Sequence, residues 1–385
     1  MNFKTWFSDE QARTALPSGA GLVALEALLA RLNHPQKKFK VIHVAGTNGK
    51  GTVCTLLARA LTCAGKKTGL FISPHLISPT ERIQIDGVEI SPQDFKRVME
   101  YVCAQEKEPL NFFERVTAAA LVYFAEKNVS HVVLETGLGG RKDPTNVCAP
   151  VLSIITSIGL DHTQLLGDSL EKIAVEKAGI IKPGVPVFCG DLPPLALAVV
   201  QETARAQHAP LTSVRAEKRP GHAREQNVHL VEKAAQFLGI SDDAVRRALE
   251  TVQLPGRFEI FKCGAKTIIL DGAHNPPAVE NLLAFWQTTI FADKRATVLC
   301  AFMQDKDYPQ MLRALSECFS TGIVTEIPSP RAAGKEMFTP LLPPDWEFVP
   351  DVSAALAYAQ EQADVILVTG SFYLVGAVRK RLIKF

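Results

Sequence analysis

The chain has 385 residues, more than one typical core encloses, so two domains are expected. With 47% hydrophobic and 21% charged residues it reads as a soluble globular protein, and a net charge of +2 without a long basic stretch argues against nucleic-acid binding. No apolar run is long enough to cross a membrane, and the N-terminus lacks a secretory pattern. The eight cysteines are scattered without a CxxC pair, which points to reduced core thiols and a cytoplasmic setting.

In chain order, Gly19–Leu32 has the apolar spacing of an amphipathic helix, and Phe39–Gly46 is apolar enough for a buried strand. The segment after Lys50 repeats apolar residues at helical spacing and stops at Gly65 beside two lysines, as helices do. A strand over Thr68–Ser73 then closes a βαβ unit. Further strands are expected at His131–Thr136, Leu152–Ile158 and Pro186–Gly190, with helices at Glu114–Lys127 and Leu170–Ala178. Ala209–Arg224 is polar and irregular and reads as a surface loop. A second alternating series follows Leu254-Pro255-Gly256-Arg257. Its strands are expected at Phe258–Cys263, Thr267–Asp271, Ala296–Ala301, Gly322–Thr325 and Val365–Thr369. Its helices are expected at Pro277–Thr289, Tyr308–Phe319, Val352–Gln362 and Tyr373–Leu382. Pro340–Pro350 reads as a loop. The alternation predicts α/β domains, residues 1–254 and 255–385, each with a mostly parallel sheet.

The most informative string is VIHVAGTNGKGT, Val41–Thr52. An apolar strand runs into a glycine-rich turn, then a lysine and a hydroxyl residue, at the start of a helix. This is a phosphate-binding layout: backbone N–H groups of Gly46, Thr47, Asn48, Gly49 and Gly51 face the phosphates, Lys50 supplies charge, and Thr52 offers an oxygen to magnesium. Val44 and Gly51 stand where the strict P-loop pattern places Gly and Ser/Thr, so the match is partial, and a plain glycine-rich turn is the alternative. Three more strings leave strand ends: Phe71–Ile83, Leu134–Asn146 and Ser157–Gly167. Ligands of open α/β sheets bind at such ends, so one site could gather them. Glu135 closes an apolar strand, where a carboxylate is costly unless it holds a metal or a cation, which makes it the first candidate magnesium ligand. The spacing alone does not make His162 a ligand, and the GLGG turn lacks the GxGxxG spacing of a dinucleotide site.

Taken together, GTNGKGT, SPHL, GLGGRxDxTN, SIGLDHxxxLG, EKAGIIKPG, LPGRFE, DGAHNP and TGSFYLVGAVR occur in this order and closely resemble the folylpolyglutamate synthase/dihydrofolate synthase family, the folate branch of the Mur ligases. The resemblance spans about Ala20 to the C-terminus. It implies a P-loop-containing Mur-ligase-like ATPase domain followed by a smaller Rossmann-like α/β domain. It also implies ATP-driven addition of L-glutamate to a folate or to dihydropteroate through an acyl phosphate, with two magnesium ions. By the same resemblance, Ser73 and Glu135 hold one magnesium and His162 a second. Lys177 matches a lysine that the family carbamylates. Asn227, Arg257 and Asp271 match ATP contacts, and His274 lies near the reaction centre with Lys50. Phe112 and Phe113 match an aromatic pair near the pterin. Arg82, Gly139, Gly140, Arg141 and Ser371, with Tyr373 beside it, belong to the folate and glutamate side. A monomer is expected.

The family's HQxxN string is ARxxN here, Ala223 to Asn227, and its GSLY is GSFY. Two other readings stay open: the same ligase chemistry on a different acid, and a nucleotide-binding regulatory protein.

Overall fold

The computed structural model describes residues 21–216 and 222–383, and its contacts divide the chain into two units. Among the described residues, the first comprises 21–75, 79–216 and 225–252; the second comprises 76–78, 222–224 and 253–383.

The first unit is built on an eight-stranded sheet in the order β4-β3-β2-β5-β1-β6-β7-β8. Its strands are β1 (Lys40–Ala45), β2 (Thr68–Phe71), β3 (Ile83–Ile85), β4 (Val88–Glu89), β5 (His131–Glu135), β6 (Pro150–Ile155), β7 (Val187–Cys189) and β8 (Leu211–Ser213). β2, β5, β1, β6, β7 and β8 run parallel, and β3 and β4 add an antiparallel edge. β5 lies between β1 and β2, so the expected βαβ unit has a strand inserted in it. The central strands are continuous apolar runs because helices cover both faces.

One face packs under α1 (Gly21–Arg31), α3 (Pro92–Ala104) and α4 (Phe112–Glu126), with Leu25, Phe95, Val116 and Phe124 fully buried. The start of α4 is fixed locally by a reciprocal cap between Asn111 and Glu114. The other face packs under α2 (Lys50–Cys63), α8 (His222–Phe237) and α9 (Asp242–Thr251), through residues such as Leu57, Leu61, Leu230 and Val245. A further core joins β6 and β7 to α6 (Leu170–Ala178) and α7 (Pro194–Ala206), and the short α5 (Thr163–Leu166) precedes them.

The second unit carries a six-stranded sheet in the order β13-β12-β11-β14-β10-β9. Its strands are β9 (Arg257–Cys263), β10 (Lys266–Asp271), β11 (Ala296–Cys300), β12 (Thr321–Val324), β13 (Trp346–Phe348) and β14 (Val365–Thr369). All but β9 are parallel, and β9 forms an antiparallel hairpin with β10. Its helices are α10 (Pro276–Trp286), α11 (Tyr308–Cys318), α12 (Lys335–Phe338), α13 (Val352–Gln362) and α14 (Phe372–Leu382).

Two loop expectations are corrected. Within Ala209–Arg224, Leu211–Ser213 pairs with β7 as an edge strand and α8 begins at His222; residues 217–221 lie outside the described ones. Within Pro340–Pro350, Trp346–Phe348 pairs with β12. In both, a three-residue strand at a sheet edge is too short to show a period of its own. Among the described residues no helix is long and apolar enough to cross a membrane, and all eight cysteines are free thiols.

Candidate active site

In the first unit, four neighbouring strands, β2, β5, β1 and β6, deliver the four strings singled out in the sequence. Parallel strands share one direction, so their carboxyl ends place the Gly-rich loop, Ser73, the 137–141 turn and the 157–162 segment along one edge.

The Gly-rich loop leaves β1 and ends at Gly49, which N-caps α2 with φ 85° and no side-chain cap. The first-turn N–H groups of Lys50, Gly51 and Thr52 therefore project from the helix start, where the helix dipole favours an anion. The residues after β6 brace the loop. Thr47 N donates to Ser157 O at 2.8 Å, Asn48 N to Ser157 Oγ at 2.9 Å, and Thr156 Oγ1 to Asn48 O at 2.7 Å. At Gly46 a Cβ would sit 1.9 Å from Thr156 Oγ1, so only glycine fits. Thr156 and Ser157 were missed as functional residues; their signal was a hydroxyl pair at a strand end opposite the loop.

Two lysines converge on one carbonyl. Lys50 Nζ donates to Gly46 O at 2.9 Å and to Thr47 O at 3.1 Å, and Lys177 Nζ donates to the same Gly46 O at 2.8 Å. Lys177, in the last turn of α6, is 4% exposed. Burial first, and then the Lys50 charge, push its amine down to about 7, against the opposing pull of Asp161 and Asp143. Both lysines thus sit at the loop.

Glu135 is buried at the end of β5, and its Oε2 accepts from Ser73 N at 2.9 Å, which brings together the two expected metal ligands. His162 N-caps the short α5 with φ 50°, and its ring lies 3.9 Å from the Asp161 carboxylate. Among the described residues no group of three or more His, Cys, Asp or Glu side chains forms a metal cluster. Asn227 lies against the loop: a Cβ on Gly49 would be 2.5 Å from its Oδ1.

The turn after β5 is held from below. Asp143, fully buried, accepts from Leu138 N at 2.8 Å, from Thr145 N at 3.0 Å and from Thr145 Oγ1. Thr145 Oγ1 in turn lies 2.7 Å from Nε2 of His43, inside β1. Since Thr145 spends its proton on Asp143, His43 Nε2 carries one and donates. Burial, helped by the Lys182 charge, holds His43 neutral, down to about 3. This string was not foreseen, because a histidine in an apolar strand gives no local sign of its partner.

Several residues expected on the substrate side have other partners. Phe112 is 4% exposed and packs in the hydrophobic core beside α4. Helical spacing cannot tell a core-facing phenylalanine from a ligand-facing one. Phe113 is half-buried, its ring 5.8 Å from Phe71 and against Gly137. Arg82 is buried, donates to His75 Nδ1 at 2.9 Å and lies 5.4 Å from the Phe112 ring. Burial and the Arg82 charge push His75 down to about 3. Arg141 pairs with Glu176 of α6. Gly139, with φ 66°, and Gly140 let this turn pack on α6: a Cβ on Gly140 would meet Glu176 O at 2.8 Å and Lys177 O at 2.9 Å. Gly140 therefore seats the turn on the helix that carries Lys177.

In the second unit, Asp271 ends β10 opposite Arg257 of β9, beyond an irregular step in the hairpin register. Asp271 is 9% exposed and accepts from Ala273 N at 3.0 Å. Burial pushes its carboxyl up, while Arg257, Arg224 and the N–H groups of Ala273 and Phe258 pull it back toward the anion. The Arg257 guanidinium lies 4.5 Å from the Phe372 ring centroid. His274 Nδ1 lies 2.9 Å from Gly272 O; a carbonyl only accepts, so Nδ1 carries the proton. Ser371 is buried and N-caps α14, accepting from Tyr373 N at 3.2 Å, and Tyr373 is exposed. A cap explains Ser371 without a ligand.

A model of the Mur ligase middle domain matches residues 44–261, and a model of the Mur ligase glutamate ligase domain matches residues 256–372. The chain is 35% identical to the dihydrofolate synthase/folylpolyglutamate synthase of Bacillus subtilis, over 94% of this chain and 95% of that protein. Escherichia coli FolC in complex with DHPP and ADP superposes with a TM-score of 0.90 at 28% identity, covering 99% of this chain and 97% of that one. The bifunctional folylpolyglutamate synthase/dihydrofolate synthase of Yersinia pestis, complexed with AMPPNP and Mn ion, superposes with a TM-score of 0.88 at 31% identity, covering 99% and 98%.

Proposed function

Because the chain belongs to the folylpolyglutamate synthase/dihydrofolate synthase family of Mur ligases, we infer that it is an ATP-dependent ligase that adds L-glutamate to a folate, releasing ADP and phosphate. The observation that carries this reading is the convergence of the Gly-rich loop, Lys177 and the Glu135–Ser73 pair on the ends of adjacent strands. A regulatory nucleotide-binding module has no need of a buried lysine amine beside the loop.

The chemistry needs each part. A carboxylate is a weak electrophile, and its approach to a triphosphate is repelled. In the first step the acid's carboxylate oxygen attacks the γ-phosphorus, and ADP leaves. In the second, the glutamate amine attacks the acyl carbon, loses a proton, and phosphate leaves. Lys50 and the first-turn N–H groups of α2 offset the charge on the transferring phosphoryl group. Asn227, Arg257 and Asp271 bind the nucleotide. His274, with its proton on Nδ1, serves near the reacting atoms. Arg82, Phe112, Phe113, Gly139, Gly140, Arg141 and Ser371 stay assigned to the folate and glutamate side. We assign residues 1–254 as the ATP-binding, Mur-ligase-type domain and residues 255–385 as the glutamate-ligase domain.

The donor set fits magnesium, which often takes one or two carboxylates together with phosphate oxygens rather than an all-protein cage. Glu135 and Ser73 would hold one ion and His162 a second, and the metal supplies neutralisation of phosphate charge when bound. Lys177 is read as a carbamate: its neutral amine forms a C–N bond to carbon dioxide and gives up a proton. An amine held near neutrality by burial and by Lys50 supports this.

The test is incubation with ATP, magnesium and glutamate, offering tetrahydrofolate and dihydropteroate separately, with products read by mass. A glutamate-sized gain on both marks a bifunctional enzyme, and a gain on one assigns a single activity. No gain on either overturns the substrate assignment.

A further inference from the structure

Arg224 stands at the second position of ARxxN, where the family carries Gln. It lies in the first turn of α8 and is grouped by its contacts with the second unit. Its guanidinium is 3.9 Å from the Phe285 ring centroid and 5.2 Å from that of Phe258, and Nη2 donates to Arg257 O at 3.3 Å. The two rings meet edge to face, 4.9 Å apart. A planar guanidinium can stack on a ring, present its edge as a donor and carry a full positive charge, which a glutamine amide lacks.

The residue it braces is strained. Phe258 has φ 55°, a left-handed conformation that bulky residues rarely adopt. Such a backbone persists only where its surroundings over-determine it, and it is common where a side chain is being aimed. Here the strained step follows Arg257 directly and coincides with the register irregularity opposite Asp271. Arg224 fixes the carbonyl before the strained step and the ring after it. Its charge also acts on Asp271 together with that of Arg257.

We propose that Arg224 is a positioning residue for the nucleotide contacts of this protein, clamping the Arg257–Phe258 step so that Arg257 and Asp271 present themselves to the nucleotide. The proposal rests on the nucleotide role given above to Arg257 and Asp271. At a position where the family's string carries glutamine, the guanidinium adds a positive charge and a cation–ring contact to the Arg257–Phe258 step.

The experiment is titration of ADP with magnesium into the full chain by calorimetry, for the unaltered protein, Arg224→Gln, Arg224→Lys, Arg257→Gln and the double variant Arg224→Gln/Arg257→Gln. Arg224 is exposed, so its replacements are expected to fold, and thermal melting checks this. Arg224→Gln should weaken ADP binding about tenfold, the scale of one charge-assisted hydrogen bond. Arg224→Lys should recover part of the loss, and the loss should largely vanish in the Arg257→Gln background. In steady state the KM for ATP should rise while that for glutamate stays put. Unchanged ADP affinity in Arg224→Gln, or additive losses in the double variant, overturns the clamp while leaving the nucleotide reading intact. If the unaltered protein does not bind ADP, the nucleotide reading itself falls, and the clamp with it.

Discussion

Lys177 makes the sharpest prediction about how this site is built. Its amine is pushed from 10.5 to about 7 by burial and by Lys50. The folded protein then binds fewer protons here than the unfolded chain between pH 7 and 10.5. Stability must therefore rise with pH through that window, and the penalty is felt in full below pH 7, where the buried amine is forced to carry charge. A shift of 3.5 units, 10.5 minus 7, corresponds to on the order of 5 kcal/mol in all, and about 2 kcal/mol of it returns between pH 7 and 9. Lys177→Met removes the titration while keeping an unbranched chain of similar length. Both proteins would be unfolded in urea in carbon-dioxide-free buffer. Pulsed hydrogen exchange on peptides from β1 and β5 then follows the first unit by itself. Relative to the variant, the unaltered protein should gain about 2 kcal/mol between pH 7 and 9. Parallel pH curves for the two proteins would refute the argument that Lys177 is held neutral.

Three further outcomes are expected. Glu135→Gln keeps the shape and can still accept from Ser73 N, so melting should barely move, whereas turnover at any magnesium concentration should fall at least a hundredfold; a normal magnesium titration would place the ion elsewhere. Gly140→Ala drives a Cβ into two backbone carbonyls of α6, which cannot yield as side chains do, so it should cost about 2–4 kcal/mol, seen as a lower melting temperature of the first unit. Thr145→Val leaves Asp143 and His43 each short of a buried partner and should cost about 2–3 kcal/mol, while Thr145→Ser should restore most of it; equal stability of the two variants would show that the hydroxyl is idle.

Much of this protein is legible in its sequence because the signals are local. The Gly-rich turn between an apolar strand and an apolar helix, the carboxylate closing β5 and the alternation of periods depend on residues within a few positions of one another. Eight motifs in fixed order also sufficed to mark the family. Strand order is not local. Inserting β5 between β1 and β2 sets which loops become neighbours, and only the folded sheet decides it. The same holds for partners distant in the chain. Lys177 meets Gly46 across 131 positions, and His43 meets Thr145 across 102. Phe112 and Phe113 are adjacent and chemically identical, yet only the first is a fully committed core residue, because helix rotation against the sheet settles which ring faces inward. The sequence by itself determined the chemistry available and the order in which it is delivered. The tertiary structure decided which groups share a carbonyl, a carboxylate or a ring, since burial and charge act through distances that the chain order does not contain.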